Sequence, residues 1–206
     1  MRLSSRFAAL AVTVAAGLAL AACQTPSPPP LRLPELTFAH LGPITLDVAQ
    51  VVVEDQRPSA LDGTADGAAR VEMQAPTPPE TAIRRWVADR LQPAGGSGTL
   101  RAVIKEASIT ETPLPRTGGL RGTFTNDQAV RFDGRIEVEL VAERRDRGYQ
   151  GFTGATVTRS STLPENASLY ERDQTLLKLV EGMMNDLNYR LETGALTHLS
   201  SVVVRR

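Results

Sequence analysis

From Ala129 to Glu143 the sequence reads AVRFDGRIEVELVAE, an alternation of apolar and charged residues with almost no break. Val130, Phe132, Ile136, Val138, Leu140 and Ala142 share one parity with Gly134, while Arg131, Asp133, Arg135, Glu137, Glu139 and Glu143 take the other. Side chains on a strand point to opposite faces in turn, so this pattern predicts a long antiparallel strand with one face in a core and one in water. The following RRDRGYQG supplies a turn, and the small, Thr-rich FTGATVTRSST continues as a partner strand.

Two earlier segments also read as strands, each with a change of phase. In TLRAVIKEASITE, Leu100, Ala102 and Ile104 are followed by Ala107 and Ile109. In ITLDVAQVVVED, Ile44, Leu46 and Val48 give way to Val51 and Val53. A slip of one residue moves side chains to the other face, so a bulge or strong bend is expected in the latter near Ala49 and Gln50. Residues 57–75 are rich in Gly, Asp and Ala and read as a long connection.

Helical spacing occurs twice. TPPETAIRRWVADRLQP places Thr77 and Glu80 at capping-box spacing, with Pro78 at the first helical position. Ile83, Trp86, Val87 and Leu91 form one apolar stripe, which makes the single tryptophan a core anchor. The second helix starts at Ser168 with Glu171 in its capping box. It carries Leu169, Leu176, Leu177, Val180, Met183, Met184, Leu187 and Leu191, and Gly194 is placed to cap its end. Gly182 inside it costs about 1 kcal/mol relative to Ala and allows another element to approach. The tail SSVVVRR is suited to a short final strand.

These elements predict an α+β domain in the order β-α-β-β-β-α. A helix between the first two strands permits a right-handed crossover, and the next three strands form a meander. The economical packing is two helices on one face of a four-stranded, mainly antiparallel sheet.

The chain has one cysteine, Cys23, at the end of the run LALAAC. Before it, Arg2 and Arg6 precede an uncharged stretch from Phe7 to Ala22, the charged and apolar regions of a secretory signal. That stretch is shorter than the ~20 residues a membrane-spanning helix needs. Leu20, Ala21, Ala22 and Cys23 resemble the lipobox of bacterial lipoproteins. The resemblance implies cleavage before Cys23, a diacylglycerol thioether on its sulfur and an acyl group on the freed amine, with no other cofactor. Two or three acyl chains anchor stably where one does not, each buried methylene contributing ~0.8 kcal/mol. In that family a residue other than Asp after the cysteine favours the outer membrane, and Gln24 stands there. The Pro-rich QTPSPPPLRLPEL then reads as an extended tether. The division expected is a signal peptide over 1–22, a lipidated tether over 23–36 and one periplasmic domain over 37–206.

Charge excludes one class of partner. Lys and Arg number 23 against 23 Asp and Glu, nothing like the basic footprint of a nucleic-acid binder. Catalytic signatures are equally thin. His40 and His198 lack metal-ligand spacing, and there is no GxSxG or phosphate-binding loop. TGGLRGTFTND joins two strands without opening a helix, so it is a hairpin loop. That connection, taken from Thr112 to Asp127, is long and carries Arg116, Leu120, Arg121 and Phe124 as a candidate contact loop.

A lipid-tethered domain of two helices and four strands broadly resembles small proteobacterial envelope lipoproteins, including auxiliary lipoproteins of lipid and lipopolysaccharide transport. The expected role is a noncatalytic, membrane-anchored protein that binds an envelope protein partner. The alternative is a periplasmic lipid- or glycan-binding module, and a third class is an enzyme using paired carboxylates. A cavity between sheet and helices favours the ligand module, whereas a filled core with exposed apolar surface favours the protein partner.

Overall fold

A computed structural model describes residues 33–58, 68–115 and 128–204. In chain order its elements are β1 (Ile44–Leu46), β2 (Gln50–Asp55), β3 (Ala69–Arg70), α1 (Pro79–Arg90), β4 (Leu91–Pro93), β5 (Thr99–Pro113), β6 (Gln128–Arg144), β7 (Tyr149–Pro164) and α2 (Leu169–His198). The alternating segment is β6, and it lies between β5 and β7 with antiparallel pairing on both sides. Strand β2 runs parallel to β5, the two being joined through α1, and the short β3 pairs with β5 farther along the same strand. The sheet thus has five strands where four were expected, because β3 pairs within the connection that the sequence leaves as a loop.

The phase changes have two different outcomes. In β5 the register slips between Ile104 and Glu106, which keeps Ala107 and Ile109 on the buried face with Leu100, Ala102 and Ile104. In the first segment the chain does more than bend. β1 and β2 are separate strands in separate sheets, β1 pairing with β4 and β2 with β5. Between them Asp47 N–H donates to Val202 O and Ala49 N–H to Gly98 O, so the backbone is satisfied while it changes sheets.

Helix α1 begins one residue later than its sequence pattern suggests. Pro79, not Pro78, takes the first helical position, and Pro78 is the N-cap at φ −57°, ψ 144°. The cause is local: a residue before proline is driven to extended geometry. Glu80 is therefore not part of a capping box, and its carboxylate binds Arg84 and Arg57 instead, at 2.7 and 2.8 Å. Leu91 leaves the helix to open β4, although its side chain remains buried. The capping box of α2 is present as expected: Ser168 Oγ accepts from Glu171 N at 3.2 Å, and Glu171 Oε2 accepts from Ser168 N at 2.7 Å. Gly194 does not end this helix, which runs on to His198; it lies against the Thr153 hydroxyl of β7, where a Cβ would collide. Gly182 admits the Arg159 side chain in the same way. The tail forms a single bridge, Leu46 to Val203, in place of a strand.

Both helices pack on one face of the sheet, α2 along β6 and β7 and α1 against β5 and α2. Trp86, Phe38, Phe132, Ile136, Met183 and Leu187 are all but fully buried between these layers. Burying a side chain of this kind contributes roughly 1.5–3 kcal/mol. Trp86 also donates from Nε1 to Asn188 Oδ1 at 2.9 Å, satisfying its one polar atom. Among the described residues, Arg90 and Arg144 are buried as well. Arg90, 2% exposed, donates to Leu41 O, Gly42 O, Asn188 Oδ1 and Glu192 Oε2. Arg144 binds Asp47, Asp146 and Ser97.

Candidate functional site

The anchor residues Leu20, Ala21, Ala22 and Cys23, and the loop residues Arg116, Leu120, Arg121 and Phe124, lie outside the described residues. The flanks of that loop are described and are more regular than expected. Thr112 and Pro113 belong to β5, paired with Arg131 and Val130, and Leu114 N–H donates to Ala129 O. Alternation alone does not reveal that β5 continues past Glu111, because Thr112 and Pro113 carry no apolar parity.

The two histidines are brought to different places. His40 sits in a turn beside Pro34, Leu36, Leu177 and Glu181, around a shallow concavity of ≈ 180 Å3. His198 ends α2, exposed, and its carbonyl accepts from the Tyr149 hydroxyl at 3.2 Å. Among the described residues no three His, Cys, Asp or Glu side chains converge as metal ligands.

The perturbed carboxylates are ion-pair and cap partners. Hydrogen bonds from Arg57 hold the Asp55 carboxyl down to about 2, and those from Arg144 and Ser97 do the same for Asp146. Arg159 lowers Asp186, and the backbone N–H of Ser168 lowers Glu171. Each is kept ionised by a group that occupies its oxygens, the arrangement of a structural charge rather than of a proton-transfer group.

Two apolar surfaces stand out among the described residues. The first is the sheet face that the helices leave bare. Register places Val52 of β2 beside Arg101 of β5, Arg101 beside Val141 of β6, and Val141 beside Phe152 of β7. The row crosses four strands, about 15 Å at ordinary strand spacing. Phe152 is 56% exposed, and its ring lies over Gly154. Charges flank the row and are paired within the face: Arg101 with Glu143 at 2.8 Å and with Glu54 at 3.5 Å, and Lys105 with Glu139 at 3.5 Å. Residue spacing along one strand shows none of this, since each strand contributes a single member.

The second surface is a groove of ≈ 540 Å3 lined by Pro43, Ile44, Thr45, Glu192, Leu196, Val203 and Val204. It lies between β1, the last turns of α2 and the chain's C-terminal segment. Arg90 joins Glu192 of this lining to the carbonyls of Leu41 and Gly42, the turn that precedes Pro43.

No protein-family model matches the chain, and no curated protein matches it. Among solved structures it is similar to rare lipoprotein B of Shewanella oneidensis, at 11% identity and a TM-score of 0.36, over 72% of this chain and 95% of that one. It is also similar to a minor lipoprotein of Acinetobacter baumannii, at 14% identity and a TM-score of 0.33, over 77% and 96%. A third is a Xanthomonas campestris protein of the DUF330 family, at 10% identity and a TM-score of 0.30, over 82% and 92%. Two of these neighbours are bacterial lipoproteins. Likeness at such scores carries no argument about this chain's activity or partner, which rests on its own residues.

Proposed function

We propose that the chain is an envelope lipoprotein, anchored through lipid on Cys23, whose noncatalytic domain binds a protein partner as an accessory component of envelope lipid or lipopolysaccharide transport or assembly. One observation carries the partner reading: a half-exposed aromatic, Phe152, continues a register-aligned row of Val141, Arg101 and Val52 on a flat face whose charges are already paired. Aromatic and Arg side chains are the residues on which protein interfaces concentrate their energy, and a polar rim excludes water around them. The self-paired charges lower the desolvation cost of covering the face and leave the apolar row to drive contact. A ligand-binding module calls for space between sheet and helices, and that space is filled by Trp86, Phe132, Ile136 and Met183.

The test is site-specific photo-crosslinking in cells with a crosslinking amino acid at Phe152 or Val141, and at exposed Glu181 of α2 as the control. A discrete adduct from the row, absent from the control and abolished by Arg101→Glu, is expected. Row positions that give no adduct, or the same adducts as Glu181, refute the reading. The anchor is tested by intact mass and fractionation beside Cys23→Ala, which should lose the acyl mass and leave the membrane fraction.

A further inference from the structure

The five-stranded sheet ends on one side in β2 and β3 and on the other in β7. An edge strand presents a row of unpaired N–H and C=O groups, which folded proteins ordinarily blunt with charge, proline, a bulge or shortness. The first edge follows that rule: β2 has six residues and closes on Glu54 and Asp55, and β3 has two. Strand β7 does not. It runs for 16 residues, and its register against β6 is unbroken from Tyr149 to Leu163. Its one proline is the last residue, and its one charged side chain, Arg159, is tied to Asp186 of α2 at 2.9 Å. A single bond shows which backbone groups face outward. Arg190 Nη1 donates to Thr156 O at 2.9 Å, so that carbonyl is turned away from β6. Backbone direction alternates along an antiparallel strand, so Phe152, Gly154, Thr158, Ser160 and Thr162 face the same open side, and all five are exposed. Among the described residues, the bond from Arg190 is the one made to that side.

We propose that the sheet is extended at β7 by an added strand: an extended segment of another polypeptide pairs with this outer edge and carries an acidic side chain toward Arg190. The proposal rests on the reading that the domain binds a protein, and adds the course of that partner's backbone. The occupant follows from the chemistry of the edge. Outward N–H and C=O groups at strand spacing are matched by extended backbone, and neither lipid nor glycan carries that alternation. Arg190 spends its guanidinium on a neutral carbonyl and has no carboxylate within ion-pair distance among the described residues. An incoming strand displaces it from Thr156, and a carboxylate on that strand takes it up in a stronger, charge-assisted bond. A second copy is the poorer fit. Antiparallel pairing of two β7 strands about Thr156 sets Arg190 of one copy against Arg190 of the other, and like charges placed opposite one another oppose pairing.

The experiment places a photo-crosslinking amino acid at Thr158, Ser160 or Thr162 of the full chain in cells, one position at a time, and maps each adduct to the partner residue it joins. Val141, on the sheet face but away from the edge, is run beside them. Strand pairing predicts a single partner segment, with the joined residue stepping by two along it as the crosslinker steps by two along β7. Thr158→Pro removes one outward N–H and leaves the ladder to β6 whole, so the Thr162 adduct should fall about tenfold, while Thr158→Ser leaves it unchanged. Arg190→Glu should also reduce it. Adducts from Val141 with none from the three edge positions leave protein binding in place and overturn strand addition; no adduct from any position overturns both. Partner residues that do not step in register, a joined residue in β7 of a second copy, or a Thr162 adduct undiminished by Thr158→Pro or by Arg190→Glu each overturn the proposal. The stepping pattern uses no proline variant, so it decides the matter even where Thr158→Pro fails to fold.

Discussion

Arg90 offers the sharpest test of how this fold is held together. Its guanidinium lies 2% exposed and meets four acceptors from two separate parts of the chain: the carbonyls of Leu41 and Gly42 in one turn, and Asn188 Oδ1 and Glu192 Oε2 on α2. Replacing it with Ala removes the cation and leaves these acceptors to find water or remain bare. Removing one member of a buried pair typically costs 3–5 kcal/mol, because the partner is left uncompensated. Glu192 is 42% exposed and can rehydrate, which lowers that cost. The two carbonyls lose a charged donor, for which ~1–3 kcal/mol is usual per buried group. The expected loss is therefore about 3–4 kcal/mol, a large part of the 5–15 kcal/mol typical of a whole domain. Urea denaturation should show the midpoint falling with the slope unchanged, and a thermal melt should fall by about 10 °C for a domain of this size. Arg90→Lys should recover only part of this, since one ammonium does not reach the positions that a planar fork serves. Glu192→Gln keeps an acceptor but removes the counter-charge of the buried Arg90, and should cost about 1–3 kcal/mol. A loss below 1 kcal/mol for Arg90→Ala, or complete rescue by Lys, would refute the reasoning.

Other consequences follow from single contacts. Ser168→Ala breaks the capping box of α2 and should cost about 1 kcal/mol in chemical denaturation; no change would mean that Glu171 alone satisfies the helix start. Gly194→Val drives a side chain into Thr153 and should destabilise by roughly 1–3 kcal/mol, whereas an unchanged melting temperature would show that the helix moves away freely. Asp55 should titrate near 2 by carbon NMR and return toward its ordinary 3.8 in Arg57→Ala. The sign follows from its lowered native value: its contribution to stability is present above the unfolded pKa and is lost as pH falls from about 4 toward 2, so the variant should show a smaller acid-induced loss across that window.

The parts legible in the sequence were those set by near neighbours. Strand β6 announces itself because its partners above and below impose one parity over its whole length. The slip within β5 is written into the spacing of Ile104 and Ala107, and the capping box of α2 into Ser168 and Glu171. Where a local rule was misread, at Pro78 and Pro79, the correction is also local: proline forces its predecessor out of the helix. The separation of β1 from β2 was legible only as a change of phase. Which sheet each strand joins depends on Gly98 and Val202, residues far along the chain that satisfy the backbone at the crossing.

The candidate surfaces belong almost wholly to the tertiary structure. Val52, Arg101, Val141 and Phe152 are unremarkable one at a time, and become a row only when three pairings set their register. The groove joins residues 43–45 to 192–196 and 203–204, and Arg90 ties Glu192 to the turn that precedes Pro43. By itself the sequence determined the periodicity of the elements and the cap of α2, because each is a matter of near neighbours along the chain. Only the folded chain decided which exposed side chains share a surface and which arginines are buried, because those depend on contacts between segments that meet only when the core closes.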